Sequence, residues 1–278
     1  MFLGFACAGC VSRAAVRAAA PLMERGLEAV SEEEDVRLAE SASGANLKIL
    51  EAALKEDPRH ARLLLLACRG FAGYALVFVG DEESERARAF YARARAYGLR
   101  ALEQDRRLRG LLSMPMERLE KVLKACTRKD VPKLFWATLA WGYWINLSRD
   151  KPEALAELPR AEAIMRRVLE LDEAYFYGGP HLFFGTIYGS RTKLLGGDPD
   201  RAREHLERNL KLNGGRFLLT YYFYARYLAV QLQDRQLFER LLRQAAEAPA
   251  ESLPDQRLLN TVARGRCADL LAHADEYF

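Results

Sequence analysis

Histidine and cysteine are scarce in this chain, with four and five residues respectively in 278. His60, His181, His205 and His273 lie far apart, and no H-E-x-x-H, G-x-S-x-G or phosphate-loop pattern accompanies them. Gly196-Gly197 lacks the Lys-Ser/Thr that a phosphate loop needs. Paired carboxylates occur only in surface-like runs such as residues 32–35, where solvation is the default. These absences leave no catalytic constellation, no metal site and no cofactor to expect. Cys68, Cys126 and Cys267 stand singly in helical contexts and read as small buried apolar residues. An excess of one charge is also missing. The 42 basic and 38 acidic residues leave a net charge of only +4, which argues against a nucleic-acid partner. No uninterrupted apolar run reaches the roughly 18 residues of a membrane-spanning helix, and no long stretch alternates with the period of a half-buried strand.

Half of the residues are hydrophobic, enough for a continuous core, and the long segments are rich in Ala, Leu, Arg and Glu. The organising stretch is residues 131–188. Trp136-x2-Leu139-Ala140-x2-Tyr143 has the spacing aromatic, Leu-small, Tyr, and His181-x2-Phe184-Gly185-x2-Tyr188 repeats it. Ala161-x3-Met165 lies between the two, with Glu173 eight residues further on at an expected helix end, and Ala202-x3-Leu206 follows the second. This approximates the two helices of a tetratricopeptide repeat. The small residue lets two antiparallel helices approach, and the aromatics fill the groove between successive pairs. The expected fold is all-α: a superhelical array of degenerate tetratricopeptide-like helical hairpins with a C-terminal capping helix over residues 254–277.

Along the chain, Pro21 predicts a helix start or kink, and Ser31-Glu32-Glu33-Glu34 a capping box. Residues 46–58 repeat the second-helix ending, and residues 60–79 predict one deeply buried helix. A long helix is expected over about 85–108. Its Arg86, Arg93, Arg100 and Arg107 recur every seven residues on one face. That stripe reads as a solvated face, with a docking surface for an acidic partner as the alternative. Residues 127–132 predict a loop and cap, and Asn213-Gly214-Gly215 a helix C-cap.

Residues 1–9 are apolar and end in small residues, and Ala8-Gly9-Cys10 is similar to a bacterial lipoprotein cleavage box. The expectation is a residual leader over 1–9, a lipidated Cys10, a start upstream of Met1, and one domain over 10–278. A cytoplasmic chain with a ragged apolar N-terminus is the other reading. Trp136, Trp141, Tyr143, Trp144, Tyr177, His181, Tyr188, Tyr221 and Tyr222 concentrate in the later hairpins. They are the candidate ligand- or partner-binding residues, although core packing accounts for most such rings.

Asp130-Val131-Pro132, Trp136 with Ala140-Trp141-Gly142, Leu158-Pro159, Met165, Leu171-Asp172-Glu173 and His181 resemble the TatT component family of TRAP transporter systems. So do residues 97–102, 233–238, 257–260 and 275–278, and the similarity runs from about Cys10 to Phe278. The resemblance implies a non-enzymatic periplasmic lipoprotein, held to the membrane only through its lipid anchor, and a homotrimer. It also implies engagement of the transporter's substrate-binding P component and a possible hydrophobic small ligand. A generic repeat scaffold for another protein partner, with no ligand, remains the alternative.

Overall fold

The computed structural model describes residues 5–80 and 84–278, the side chains of 5–11 and of Ala250 excepted. The expected leader therefore lies partly, and the Cys10 thiol wholly, outside what is described. Among the described residues there are twelve α-helices and no strand. The chain divides into two compact units, Met1–Val30 with Arg37–Arg167, and Ser31–Val36 with Val168–Phe278.

The first unit holds α1 (Phe5–Glu32), α2 (Val36–Glu56), α3 (Ala61–Tyr74), α4 (Ser84–Glu103), α5 (Met116–Lys124), α6 (Val131–Asn146) and most of α7 (Pro152–Leu171). Pro21 neither starts nor breaks α1; it is exposed within the helix. Nor does Ser31 cap the next helix, because α1 continues through it to Glu32. In the link ahead of α2 the Glu33 carboxylate accepts instead from the backbone N–H groups of Glu34 and Asp35 at 2.8 and 2.9 Å. His60 is the N-cap of α3, its Nδ1 accepting from the Leu63 N–H at 3.3 Å.

The helix expected over 60–79 is α3 followed by a π-helical turn, Ala75–Val79, closed by Gly80 at φ 68°. Ala61–Val79 together measure 19 residues at a mean hydropathy of 1.7, so by length and composition this segment could cross a membrane. That corrects the expectation drawn from uninterrupted runs. Half of the segment is buried, and it packs on α4 and α6, the pattern of a core helix. Close approach is set by Gly98 of α4. A Cβ there would stand 2.9 Å from the Ala137 Cα of α6, so only hydrogen fits. The helix expected to reach residue 108 stops at Glu103. A 3₁₀ turn follows, with Asp105 capping it through the Arg107 N–H. Thr127 and Asp130 form a capping box ahead of α6.

The second unit contains α8 (Tyr175–Gly189), α9 (Pro199–Asn213), α10 (Leu219–Phe223), α11 (Arg235–Glu247) and α12 (Arg257–Ala272). α10 runs into a second π-helical segment, Tyr224–Ala229. α8 lies on α9, and the contact is tightest at Gly185. A Cβ there would meet Leu206 Cγ at 2.6 Å and the Ala202 carbonyl at 3.4 Å. The small residue of one helix thus faces the Ala-x3-Leu pair of the next, as the spacing predicts. Asp198 caps α9 through the Arg201 N–H, and Gly214 and Gly215 close it in left-handed conformations. α12 packs on α10 and α11, and Tyr277 and Phe278 lie against Phe238 with ring centroids 5.7 and 5.2 Å away.

Candidate functional site: two aromatic clusters

The candidate residues fall in two groups, one per unit. In the first, Trp141 is fully buried, and its indole Nε1 donates to Glu157 Oε2 at 2.6 Å. Arg95 grips the same carboxylate, donating from Nε at 3.1 Å and from Nη2 at 2.6 Å. Its guanidinium also covers the rings of Trp141 and Trp144, at 5.5 and 4.6 Å. Trp136 is half-buried under Arg69, 4.9 Å from its ring. Tyr143 stacks on Tyr91, centroids 5.0 Å apart. These rings lie at the joints between α3, α4, α6 and α7, with Trp136, Tyr143 and Trp144 only half-buried.

In the arginine stripe Arg86, Arg100 and Arg107 are exposed, as a solvated face requires, while Arg93 is half-buried. Arg93 lies 4.1 Å over the Phe71 ring and pairs with Glu51 at 2.5 Å. Arg100 donates to the Pro58 carbonyl at 2.8 Å, and Arg107 reaches Asp105 at 2.6 Å and Asp130 at 3.1 Å. Glu51 is partly buried, which alone would raise its pKa. Hydrogen bonds from Arg93, Lys48 and Tyr97 outweigh that and hold it at about 2. A recess of about 380 Å³ beside it is lined by Lys48, Lys55, Tyr97 and Arg100, with Glu51, Ala52 and Leu54.

The second group begins at a bent start of α8. Phe176 (φ 45°) and Tyr177 (φ 58°) adopt left-handed conformations ahead of Gly178 (φ 75°). For a non-glycine residue this costs roughly 1–3 kcal/mol each, and buried side chains compensate. Asn209 Nδ2 donates to the Tyr177 and Gly178 carbonyls at 2.9 and 2.7 Å. The Asn209 Oδ1 in turn accepts from Asn213 at 2.9 Å and Thr220 at 2.5 Å. Tyr177 stacks on Phe217 at 5.2 Å and donates its hydroxyl to Asp255. Burial first, and Asp255 second, raise its pKa.

One helical turn on, His181 is buried with its Nδ1 2.9 Å from the His205 Nδ1 and its Nε2 3.1 Å from Glu173 Oε2. The carboxylate requires the His181 Nε2 to carry the proton, so its Nδ1 accepts from His205 Nδ1–H. Arg208 donates to Glu173 at 3.0 Å, and Glu173 is held at about 2 by that bond, by the His181 hydrogen bond and by the Arg208 charge. Burial, then the neighbouring His181 and Arg201, push His205 down to about 4. Burial lowers His181 as well, against the pull of Glu173. Both imidazoles are therefore neutral near pH 7. Phe184 stacks on His205 at 5.3 Å, Tyr188 lies 6.0 Å away, and Arg201 sits 4.2 Å over Tyr188.

Tyr221 leans its hydroxyl on Gly215, where a Cβ would approach it to 2.6 Å, and burial raises its pKa. Tyr222 is buried with Arg266 5.9 Å from its ring. A second recess, of about 630 Å³, is lined by Glu34, Asp35, Glu251, Arg257, Thr261 and Arg264. His205 was missed as a partner of His181. The available signal was its place on the inward face of α9, with Ala202, Leu206, Asn209 and Asn213 at helical spacing. Among the described residues no three His, Cys, Asp or Glu side chains converge as metal ligands would.

Tight helix crossings at glycine, and aromatic rings closed over by arginines and carboxylates, define an all-α protein whose polar groups brace helices against one another. A model of one family, the TRAP transporter T-component, matches residues 32–278, and the chain belongs to that family. The family is a transporter accessory rather than an enzyme family. The chain is also 29% identical over 268 residues to an uncharacterised protein of Treponema pallidum (strain Nichols), covering 89% of this chain and 82% of that one.

Proposed function

We propose that this T-component works as a periplasmic accessory of a TRAP-type uptake system, anchored through a lipidated Cys10, and that it binds the substrate-binding P component. The observation that carries the reading is the family match over residues 32–278. The crossing of Gly185 on Ala202 and Leu206 supports the finer architecture, a superhelix of tetratricopeptide-like hairpins. Such arrays present extended surfaces to protein partners, and a homotrimer is the assembly we infer for it.

A hydrophobic ligand belongs to this reading, with the half-buried rings of Trp136 and Trp144 in the first unit as its candidates. The scaffold without a ligand is favoured by one observation: Trp141, His181 and Tyr222 are buried, and both recesses described above are lined with charged side chains. Mass spectrometry of the purified protein for a bound lipid separates the two. The central test is titration calorimetry against the P component encoded with this chain, in which saturable binding is the expected result and none would sink the proposal. Cys10→Ser, expressed from the native upstream region, is expected to abolish detergent partitioning.

A further inference from the structure

The loop between α8 and α9 exposes two adjacent leucines, Leu194 at 94% and Leu195 at 63%. Hydration of that much apolar surface is unfavourable, and the loop does nothing to hide it. Nor is the loop slack. The Leu195 and Gly197 N–H groups both donate to the Thr192 carbonyl at 2.9 Å, and Gly196 N–H donates to Lys193 at 3.2 Å. Asp198 N–H ties the far end to the Tyr188 carbonyl at 3.1 Å, and Gln231 donates to the Arg191 carbonyl. Gly196 turns at φ 82°, and a Cβ at Gly197 would fall 1.9 Å from the Arg191 oxygen, so both glycines are dictated by the bend. The leucines are thus fixed outward on a preformed support.

We propose that Leu194 and Leu195 form an apolar knob that docks into a shallow pocket on the folded P component; this rests on the function proposed above. Three features favour that occupant. With Arg191 buried, the charges that reach the surface at the loop and the first turn of α9 are mixed, Lys193 and Arg201 against Asp198 and Asp200, a polar rim suited to a protein surface. An anionic bilayer would call for a net cationic one. Two side chains also fall far short of the ~800 Å² per partner that a stable dimer buries, so a second copy is a poor match and a transient complex a good one. Finally, because the knob is already ordered, docking carries little of the entropic cost that a flexible loop would incur.

The test compares the wild type with Leu194→Ser/Leu195→Ser, by calorimetry against the purified P component. The double variant is expected to keep its melting temperature and oligomeric state while binding about tenfold or more weakly, since burying each leucine is worth more than one such factor. Leu22→Ser, at 72% exposure in the first unit, is expected to bind as the wild type does. If the double variant melts early, Leu194→Lys replaces it. Equal binding by wild type and knob variants overturns the knob and leaves the proposed function standing. No binding even by the wild type overturns both. Flotation of the wild type, but not the variant, with phosphatidylethanolamine–phosphatidylglycerol vesicles would assign the knob to a membrane instead. A knob-dependent change in oligomeric state would assign it to a second copy.

Discussion

Both units carry a tight helix crossing and a cluster of aromatic rings, yet they stabilise them with different electrostatics. In the first unit Gly98 passes the Ala137 backbone, and the rings are covered by arginines, one of which, Arg93 over Phe71, pairs with a Glu51 that stays ionised down to about pH 2. In the second, Gly185 passes a side chain, Leu206, and the rings close over two neutral imidazoles, one of which resists protonation until about pH 4. The first cluster depends on a carboxylate keeping its charge, and the second, which has its own ionised Glu173, depends in addition on two imidazoles staying uncharged. The same scaffold logic therefore responds to acid in two different ways.

The largest effect should come from the crossings. Gly98→Leu must move a backbone, and is expected to cost at or above the about 1–3 kcal/mol typical of overpacking. Gly185→Leu has a side chain to displace and should fall within that range. Thermal unfolding of the two variants gives the order directly. A reversed order, or a wild-type melt for Gly185→Leu, would break the comparison at its geometric root.

Acid is the next lever. The folded pKa of His205, about 4, lies below its ordinary value of 6.5. The unfolded chain therefore binds more protons between those values, and stability is lost as pH falls from about 6.5 towards 4. Glu51 is depressed from 4.5 to about 2, so its contribution is lost only in the lower window, from about 4.5 towards 2. The imidazole contribution is about 1–2 kcal/mol once partial exposure is discounted. Hydrogen exchange at stepwise lower pH should show α8 and α9 losing protection before α3 and α4. His205→Asn should flatten the upper window alone. Simultaneous loss in both units would remove the contrast.

The smallest effects lie on the arginine stripe. Arg93→Leu removes an ion pair to Glu51 and a guanidinium over Phe71, which should cost about 1 kcal/mol. Arg86, 5.8 Å from the Phe90 ring at an exposed site, should change stability by no more than about 0.5 kcal/mol when replaced by Ala. Equal losses in a chemical denaturation series would mean that the stripe is uniform and that its bracing role is overstated.

The hairpin crossing at residues 185, 202 and 206 was legible because each half of it is a local spacing on one helix, and close packing demands a small residue at that spacing. The helical class, the C-cap at Gly214, and the resemblance to the transporter family rest on equally short stretches of chain. Other features depend on partners that local periodicity cannot name. His205 reads as one more polar residue among Arg203, Glu204, Glu207 and Arg208 until α8 brings His181 to its Nδ1. The left-handed turn at Phe176 and Tyr177 exists only because Asn209, more than thirty residues on, donates to its carbonyls. Arg93 looks solvent-directed on its own helix, and only the approach of α2 supplies Glu51. Helix formation and close-approach sites are set by neighbours three or four residues apart, so the amino-acid order decides them. Which charges are present, which rings are covered and which imidazole stays neutral depend on desolvation and on contacts across helices, and those arise only when the chain has folded.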